Sequence, residues 1–485
     1  MRIVVNKQRG IGYHRYQTLI SEFDIDINLT SRTVKHMNTR TYILVPAMSL
    51  SQRALQAAAS AKNIPWHILS DVWHATTNPD GYINVGVAEN MLMHDDLLAY
   101  INTQLTLPAR YLTYNDGASG SNRLRSALAA FLNKHLRPAQ ELQPGHIAVT
   151  NGVSAAIEHV SWTLTDPEEG ILLGRPYYGT FIADMSLRPG TRVIPVEFGT
   201  CDPFSIDAVH CYEQALLNFQ SQTGKRVRAL MLCHPHNPLG RCYPRSTLVA
   251  LMQLCQRYQM HFISDEIYAL SVWENTIDNL PTAPVPFESA LSINTTDPTT
   301  TTQIIDPSLV HALWGMSKDF GANGLRLGVI ISQHNPDLQL ALTGVALYSY
   351  TSSVSDHLAA RILEDSEFTD LYIRRNREML SSAYAFAVRL LRECGIEYAP
   401  GGNAAFFLWV NLGRKYRELH PGYGHHDDDN DVGETVMQAL LEKKVFVASG
   451  ALFGSEESGW FRIVFSIPRE CLEEALRRIM LALHA

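Results

Sequence analysis

Short apolar segments alternate with longer amphipathic segments between about residues 108 and 335 of the chain. Seven of the short segments have the length and composition of buried strands: 146–152, 170–174, 192–198, 228–235, 260–266, 311–315 and 327–332. Between them, segments such as 245–259 repeat apolar residues at the spacing of a helix. Strands that alternate with helices are typical of βαβ units, in which helices cover both faces of the sheet. The sequence therefore predicts an α/β fold around a mostly parallel, seven-stranded sheet.

The pattern changes outside this region, and the changes predict four segments. Residues 1–47 carry basic side chains without a helical period, and they predict a poorly ordered extension. We expect residues 108–335 to form a large domain and residues 336–485 to form a smaller α+β domain. Residues 48–107 are expected to join this smaller domain. Residues 275–309 are rich in Thr, Pro, Asn and Asp, and they predict an insertion loop that is too polar for the core.

The composition excludes several classes of protein. The chain has 485 residues, of which 46% are hydrophobic and 18% are charged, and its net charge is −8. These values are typical of a globular enzyme, and they predict no nucleic-acid partner and no membrane partner. The seven cysteines form no CxxC pair, which favours free thiols in a reducing, cytoplasmic compartment. The run HHDDDND at 425–431 predicts a solvated loop rather than a metal site.

A lysine stands at the end of one of the predicted strands. In HALWGMSKDFGANGLRLGVIIS, residues 311–332, the apolar run ends at Gly315, Lys318 follows, and Arg326 precedes the next apolar run. In open α/β sheets, functional groups collect at the carboxyl ends of the strands. A lysine that is partly desolvated and near another cation loses its proton more easily, and it can then act as a nucleophile. The alternative is a lysine that extends from a turn into solvent.

Other predicted strand ends carry groups that would complement such a lysine. Asp265 follows one strand with Tyr268 three residues later, and Asn237 follows another. The segment TNGVSAA, 149–155, is a strand-to-helix junction, where free backbone N–H groups and the helix dipole favour a phosphate. Two tyrosines stand in GRPYYGTF, 174–181. A lysine, an acid for a ring nitrogen and a phosphate anchor together predict a site for pyridoxal 5'-phosphate.

These combined motifs resemble those of fold-type I pyridoxal-phosphate enzymes of the class I/II aminotransferase family, from about Ser49 to the C-terminus. The resemblance implies that Lys318 forms a Schiff base with the cofactor and removes a proton from the substrate Cα, and that Asp265 pairs with the pyridine nitrogen. It also assigns the remaining cofactor contacts: Ser317, Arg326 and the backbone of Val153 and Ser154 at the phosphate, Tyr268 and Asn237 at the ring oxygen, and Tyr178 on the ring face. Arg462, in GWFRIVFS, would bind the substrate α-carboxylate through a bidentate guanidinium pair.

Two further residues are implied by a narrower resemblance. INVGVAENML, 83–92, resembles the GLAEN segment of 1-aminocyclopropane-1-carboxylate synthases, which implies that Glu89 lies near the substrate amine. The alternative for Glu89 is an acid at a helix N-terminus with Asn90 as the cap. The family forms homodimers with shared sites, and a tyrosine of one subunit reaches the phosphate in the other. Tyr111 and Tyr114 are the candidates for that tyrosine, and Tyr114 is the prediction.

Four positions depart from the synthase pattern. Gly315 stands in place of a phosphate-binding serine, Asn323 and Gly179 each in place of a proline, and His234 in place of an asparagine. None of them removes a core catalytic group. Together they favour the divergent synthase-like enzymes of fungal secondary metabolism, including pathways to sulfur-containing peptide toxins, over a true synthase.

The sequence leaves the reaction itself open. The favoured hypothesis is an aminotransferase-family enzyme that acts on an amino acid or amino-acid conjugate. A carbon–sulfur lyase that eliminates a thiol from a cysteine conjugate is a second hypothesis, and a 1-aminocyclopropane-1-carboxylate synthase is a third. A non-catalytic regulatory protein that binds the cofactor is disfavoured, because residues 1–47 resemble no DNA-binding domain and the chain is acidic.

Overall fold

The computed structural model describes most of the chain after residue 49: residues 50–61, 66–297, 299, 301–423 and 431–485. Contacts divide the chain into two units, Met1–Leu55 and Gln56–Ala485. In the first unit, only the residues from Leu50 onward are described, and the predicted extension 1–47 lies outside the described residues. The elements below belong to the second unit, except that helix α1 begins at Gln52 in the first.

The helices are distributed along the whole described chain. They are α1 (Gln52–Ala61), α2 (Trp66–Ser70), α3 (His94–Gln104), α4 (Asn122–Leu136), α5 (Val153–Leu164), α6 (Phe181–Ser186), α7 (Ala208–Thr223), α8 (Arg245–Tyr258), α9 (Met316–Asp319), α10 (Pro336–Val345), α11 (Ser353–Glu364), α12 (Ser366–Glu393), α13 (Leu412–Leu419), α14 (Val432–Glu442) and α15 (Arg469–Leu483). Their apolar spacing explains how they pack. In α8, for example, Leu248, Leu251, Met252 and Cys255 recur at helical spacing, and all four are buried.

The strands form three sheets. They are β1 (Ile83–Asn84), β2 (Ile147–Thr150), β3 (Gly170–Gly174), β4 (Arg192–Val196), β5 (Val227–Cys233), β6 (His261–Asp265), β7 (Val310–Gly315), β8 (Gly328–Ile331), β9 (Glu397–Tyr398), β10 (Phe407–Asn411), β11 (Val445–Phe446), β12 (Ala448–Ser449) and β13 (Trp460–Val464). The largest sheet has seven strands in the order β2-β8-β7-β6-β5-β3-β4. The predicted seven-stranded sheet is therefore confirmed.

The direction of the strands places several strand ends at one edge of this sheet. Strands β4, β3, β5, β6 and β7 run parallel to their neighbours, whereas β8 is antiparallel to both β7 and β2. Strand β2 consequently points the same way as β7. The carboxyl ends of β2, β5, β6 and β7, each followed by a predicted site motif, thus lie along the same edge.

Both faces of the large sheet are covered, as expected for a mostly parallel sheet. Along β5, Leu230 and Leu232 belong to a core on one face, and Ala229 and Met231 to a core on the other. The second core also includes strands β10 and β13 of the four-stranded antiparallel sheet β12-β13-β10-β9. Side chains alternate along a strand, so Asp265 shares the face of Ile263, which belongs to this second core. Asp265 therefore faces the C-terminal part of the chain.

The prediction for residues 275–309 was partly wrong. The described residues of this segment contain short 3-10 turns and neither an α-helix nor a strand, as an insertion loop should. They nevertheless contribute buried apolar side chains to the first core: Ala290, Leu291, Ile293, Ile304 and Ile305. A few apolar residues spaced along a polar loop are enough to attach it to the core, and the average composition does not show them.

Membrane-spanning helices and metal-binding clusters can be looked for only in the described part of the chain. Within it, no helix is both long and apolar enough to cross a membrane, and no three His, Cys, Asp or Glu side chains are grouped so that they could hold a metal ion. The run 425–431 lies outside the described residues, apart from Asp431. The Asp431 side chain caps helix α14 by accepting a hydrogen bond from the Gly433 N–H at 2.7 Å.

Candidate active site

The strand ends at this edge surround a cavity of about 230 Å³. Nine of the predicted site residues line it: Val153, Ser154, Tyr178, Asn237, Asp265, Tyr268, Ser317, Lys318 and Arg326. A larger cleft of about 730 Å³ lies along α12, but it is open, its lining mixes both charges, and it contains none of the predicted residues. The smaller cavity is therefore the candidate active site.

One end of the cavity has the donors that an anion requires. Helix α5 begins at Val153 after Gly152, whose φ is 107°, a conformation that favours glycine. The Arg326 guanidinium lies directly against Gly152, where a Cβ would overlap with it. In the described part of the chain, no carboxylate forms an ion pair with Arg326. A guanidinium beside the free N–H groups of a helix N-terminus is a suitable site for a phosphate.

Lys318 is partly buried in the short helix that follows β7. Its Nζ donates a hydrogen bond to the Ala88 carbonyl oxygen at 2.6 Å. Burial lowers the pKa of Lys318 to about 8, and the nearby cations Arg462 and Arg326 act in the same direction, whereas Glu89 and Asp265 oppose the shift. The amine is therefore uncharged far more often near neutral pH than an exposed lysine would be.

Asp265 ends strand β6 and is only 3% exposed. Burial raises the pKa of its carboxyl group to about 7, although the Ile267 N–H donates a hydrogen bond to it at 3.2 Å. Tyr268 is also buried, and its ring packs edge-on against those of Phe406 and Phe407. A cation next to Asp265 would stabilise the ionised carboxylate and lower this pKa.

Arg462, on β13, is buried and is held beside the cavity. Its Nη1 donates to Asn237 Oδ1 at 2.9 Å, and its Nη2 donates to the Gly86 carbonyl oxygen at 2.5 Å. The guanidinium lies between the rings of Phe407 and Phe453, at 5.0 and 4.8 Å from their centroids. Its buried Nε has no hydrogen-bond partner among the described residues. A buried cation with an unpaired donor is the expected state of a group that binds an anionic ligand.

Besides Arg462, which lies beside the cavity, two other predicted residues do not line it. Glu89 is exposed, although its charge affects the pKa of Lys318. Tyr114 is 86% exposed, whereas Tyr111 is buried and its hydroxyl accepts hydrogen bonds from Arg110 and Arg123. The functional roles of Glu89 and Tyr114 stay predictions.

The alternative interpretation, in which Asn90 caps a helix, is wrong. Helix α3 begins at His94, and its N-cap is Met93. Asn90 is instead buried, and its Nδ2 donates to Asn376 Oδ1 on α12 at 2.8 Å. The amide thus connects the segment around Glu89 to the C-terminal part of the chain.

Some residues that line the cavity were not predicted from the sequence. Cys233 is one of them, and it pairs in register with Asp265 across β5 and β6. It stands at the carboxyl end of β5, so the argument that identified Asp265 would have found it as well. Ile157 and Ile267 also contribute to the lining, and no sequence signal distinguishes them from core residues. Asn323, identified only as a departure from the pattern, lines the cavity beside Arg326.

The structure gives physical reasons for two of the departures. A Cβ at Gly315 would lie 2.6 Å from the Leu327 carbonyl oxygen, so a serine side chain has no room there in this backbone. His234 is fully buried, and burial lowers its pKa to about 4. Its Nδ1 accepts from the Tyr243 N–H at 3.2 Å, and its Nε2 donates to the Glu288 carbonyl oxygen at 2.9 Å. The neutral ring therefore holds two loops together and leaves the cavity lining intact.

Comparisons with known proteins agree with this geometry. The family model "Aminotransferase class I and II" matches residues 110–479. "Probable aminotransferase sirI" of Leptosphaeria maculans is 31% identical over 399 residues, which cover 82% of this chain and 90% of that protein. "Probable inactive 1-aminocyclopropane-1-carboxylate synthase-like protein 2" of Mus musculus is 31% identical over 416 residues, which cover 84% of this chain and 67% of that protein.

Solved structures establish the fold. An aspartate aminotransferase from Thermus thermophilus with maleate superimposes with a TM-score of 0.65 at 18% identity, covering 89% of this chain and 99% of that chain. The predicted type I fold of pyridoxal-phosphate-dependent transferases is confirmed by this likeness and by the seven-stranded sheet. The family match and the relatives also confirm the predicted relationship. This chain belongs to the aminotransferase class I and II family.

Proposed function

We propose that this protein is a pyridoxal-5'-phosphate-dependent enzyme that transfers the α-amino group of an amino acid or amino-acid conjugate to a keto acid. The observation that carries the proposal is the shared cavity of Lys318, Asp265 and Arg326, with Arg462 buried beside it. We further propose a role in secondary metabolism, including the formation of sulfur-containing peptide toxins, which the departures from the synthase pattern support.

The residues present fit this cofactor. Arg326, Ser317 and the first N–H groups of α5 would hold the phosphate; they provide cationic and neutral donors, and no described carboxylate forms an ion pair with Arg326. Asp265 would pair with the ring nitrogen, because a buried acid of raised pKa binds a cation strongly when it ionises. Asn237 and Tyr268 would donate to the ring oxygen, and Tyr178 would cover one face of the ring.

The protein groups then have separate tasks. When bound, the cofactor supplies an electron-withdrawing ring that stabilises negative charge at the substrate Cα. Arg462 binds the α-carboxylate and thereby fixes the orientation of the bonds at Cα. Lys318 Nζ, whose lowered pKa increases the fraction of the amine that is uncharged near neutral pH, accepts the Cα proton and can return it. The burial of Tyr268 and Arg462 keeps water away from this proton transfer.

The test of the proposal is whether turnover requires a keto acid. We expect purified protein loaded with pyridoxal phosphate to convert an amino acid only when a keto acid is present, with one new amino acid formed per donor consumed. An S-substituted cysteine is a useful donor, because a lyase would convert it with water into a thiol, pyruvate and ammonia without any keto acid. The proximity of the Glu89 charge to Lys318 is the observation that keeps the lyase as the second candidate.

The other outcomes are equally distinct. Formation of 1-aminocyclopropane-1-carboxylate would indicate a synthase. Covalent capture of the cofactor without turnover of any amino acid would contradict an enzymatic function, and it would favour the non-catalytic alternative.

We also propose that the protein is a homodimer. Large apolar side chains on two neighbouring segments are exposed in the single chain: Leu112 (77%), Tyr114 (86%), Leu347 (71%) and Tyr348 (74%). The Tyr350 hydroxyl donates to the Tyr114 carbonyl oxygen, which places the two segments side by side. Such a patch is typical of an interface, and Tyr114 within it is free to reach a second subunit.

The molar mass in solution tests the dimer. We expect sedimentation equilibrium to give twice the chain mass of 54.3 kDa at micromolar concentration. A monomer under these conditions would contradict the dimer, and with it the predicted role of Tyr114.

A further inference from the structure

A fully buried carboxylate directly follows the reactive lysine in the chain. Asp319 is 0% exposed, yet it does not line the cavity. Its Oδ2 accepts hydrogen bonds from the Leu270 N–H at 3.1 Å and the Trp314 Nε1–H at 3.0 Å, and its Oδ1 accepts from the Ser271 hydroxyl at 2.7 Å. Both oxygens are therefore bonded, and two of the three donors come from a segment that lies 48–49 residues earlier in the chain.

These donors belong to the segments that carry the predicted catalytic groups. Leu270 and Ser271 close the turn that follows Asp265 and contains Tyr268, and the Ser271 N–H donates to the Tyr268 carbonyl oxygen at 3.0 Å. Trp314 lies on β7, the strand that leads to Lys318. One carboxylate thus connects the turn of the lysine with the turn of the acid and the tyrosine.

We infer that Asp319 is a positioning residue, which holds the backbone of Lys318 against the turn that carries Asp265 and Tyr268. This inference rests on the proposed function, in which Lys318 is the reactive amine. Asp319 acts through Lys318, since it does not line the cavity and both of its carboxylate oxygens are bonded to protein donors.

The groups around Asp319 offset part of the effect of its burial. Burial raises the pKa of Asp319 to about 7, while its three hydrogen bonds and the charge of Arg377 oppose the shift. Arg377 Nε donates to the Leu270 carbonyl oxygen at 2.9 Å, on the same residue whose N–H is bonded to Asp319. The guanidinium thus supports the same turn from its other side.

Removal of Asp319 would shift the pKa of Lys318 in one direction through loss of positioning and in the opposite direction through loss of a negative charge. The charged groups that face the lysine amine are Arg462, Glu89, Arg326 and Asp265, and burial contributes most to its lowered pKa. If the turn moved, the amine would gain water and its pKa would rise. Loss of a nearby negative charge would instead lower it. The direction of the change therefore separates positioning from a charge effect.

The test measures the pKa of Lys318 in the cofactor-free full chain. Competitive acetylation across a pH series, followed by mass spectrometry of the Lys318 peptide, gives this value without any activity assay. We expect about 8 in the wild type and a rise toward the ordinary 10.5 in Asp319→Ala. A rise of about one pH unit reduces the uncharged amine near neutral pH tenfold.

Two further variants probe the hydrogen bonds. In Asp319→Asn, the amide oxygen can still accept from Leu270 and Trp314, and the amide N–H can donate to the Ser271 oxygen, so the pKa of Lys318 should stay near 8. Ser271→Ala removes one of the three bonds and should raise the pKa by a smaller amount. This milder variant keeps the inference testable if Asp319→Ala does not fold.

Asp278→Ala is the matched control. Asp278 is another buried carboxylate, which accepts from Tyr384 at 2.7 Å, Tyr398 at 2.5 Å and the Gly401 N–H at 3.0 Å, and it contacts neither turn of the site. Its removal should destabilise the protein and leave the pKa of Lys318 unchanged.

The possible results separate this inference from the proposed function. An unchanged or lowered pKa of Lys318 in both Asp319→Ala and Ser271→Ala would overturn the positioning role. An equal rise in Asp278→Ala would overturn it as well, because general loosening would then explain the effect. Failure of the wild type to capture pyridoxal phosphate at Lys318 would instead contradict the proposed function, and the comparison of pKa values would still stand.

Discussion

Replacement of Lys318 by alanine is expected to abolish turnover, with a loss of about 10⁴-fold or more in kcat, and to prevent covalent capture of pyridoxal phosphate. The proposed reaction uses this amine both as the attachment point of the cofactor and as the base at Cα. Among the described residues, no other lysine lines the cavity, so no second amine can replace it. The loss should therefore exceed that of any other single substitution in the site.

Borohydride reduction of the loaded protein provides the direct measurement. The wild type should gain the mass of one reduced cofactor on the peptide that contains Lys318, and Lys318→Ala should gain none. Lys134→Ala is the control, since Lys134 is a surface lysine that pairs with Asp370. A labelled peptide elsewhere in the chain, or full turnover by Lys318→Ala, would refute the assignment.

The sequence was informative about this site because each group follows the end of a strand. Asp265 is the last residue of its strand, and Lys318 and Asn237 come within four residues of the ends of theirs; a mostly parallel sheet collects such positions at one edge. Both the alternation of strands and helices and the position of each polar residue are local features. They could therefore be predicted without knowing which parts of the chain meet.

The contacts that complete the site depend on the tertiary fold, so the sequence could not reveal them. Lys318 is hydrogen-bonded to the Ala88 carbonyl oxygen, 230 residues away in the chain, and Arg462 to Asn237, 225 residues away. Backbone carbonyl oxygens have no sequence signature at all. Asp319 followed the lysine in the quoted motif, but its importance appears only from the two donors that come from a distant segment, Leu270 and Ser271.

The interpretation of Asn90 as a helix cap was wrong for a related reason. An asparagine before a helix is a valid local signal for a cap. Burial against α12 changes its role, because the side chain must then satisfy its hydrogen bonds with Asn376. Local propensity therefore predicts the strand ends well, and it is least reliable where two distant segments pack together.

Replacement of Arg462 by alanine is expected to lower kcat/KM about 30- to 5000-fold, which corresponds to about 2–5 kcal/mol for one member of a buried charge pair. Arg462 is buried, flanked by Phe407 and Phe453, and retains an unpaired Nε, so a substrate carboxylate would complete its hydrogen bonding. Arg462→Lys keeps the charge but loses the planar fork, and should recover only part of the activity.

The loss in Arg462→Ala can be assigned to the carboxylate by a second comparison. Steady-state kinetics are measured with the best amino-acid substrate and with its α-amide, which has no carboxylate. The wild type should prefer the acid strongly, whereas Arg462→Ala should convert the acid and the amide with nearly the same kcat/KM. The effects of the substitution and of the amide on kcat/KM are then not additive. Arg469→Ala, at an exposed arginine near the start of α15, should behave as the wild type. If Arg462→Ala kept the full preference for the acid, the carboxylate would bind elsewhere, and the orientation proposed for the Cα proton transfer would be wrong.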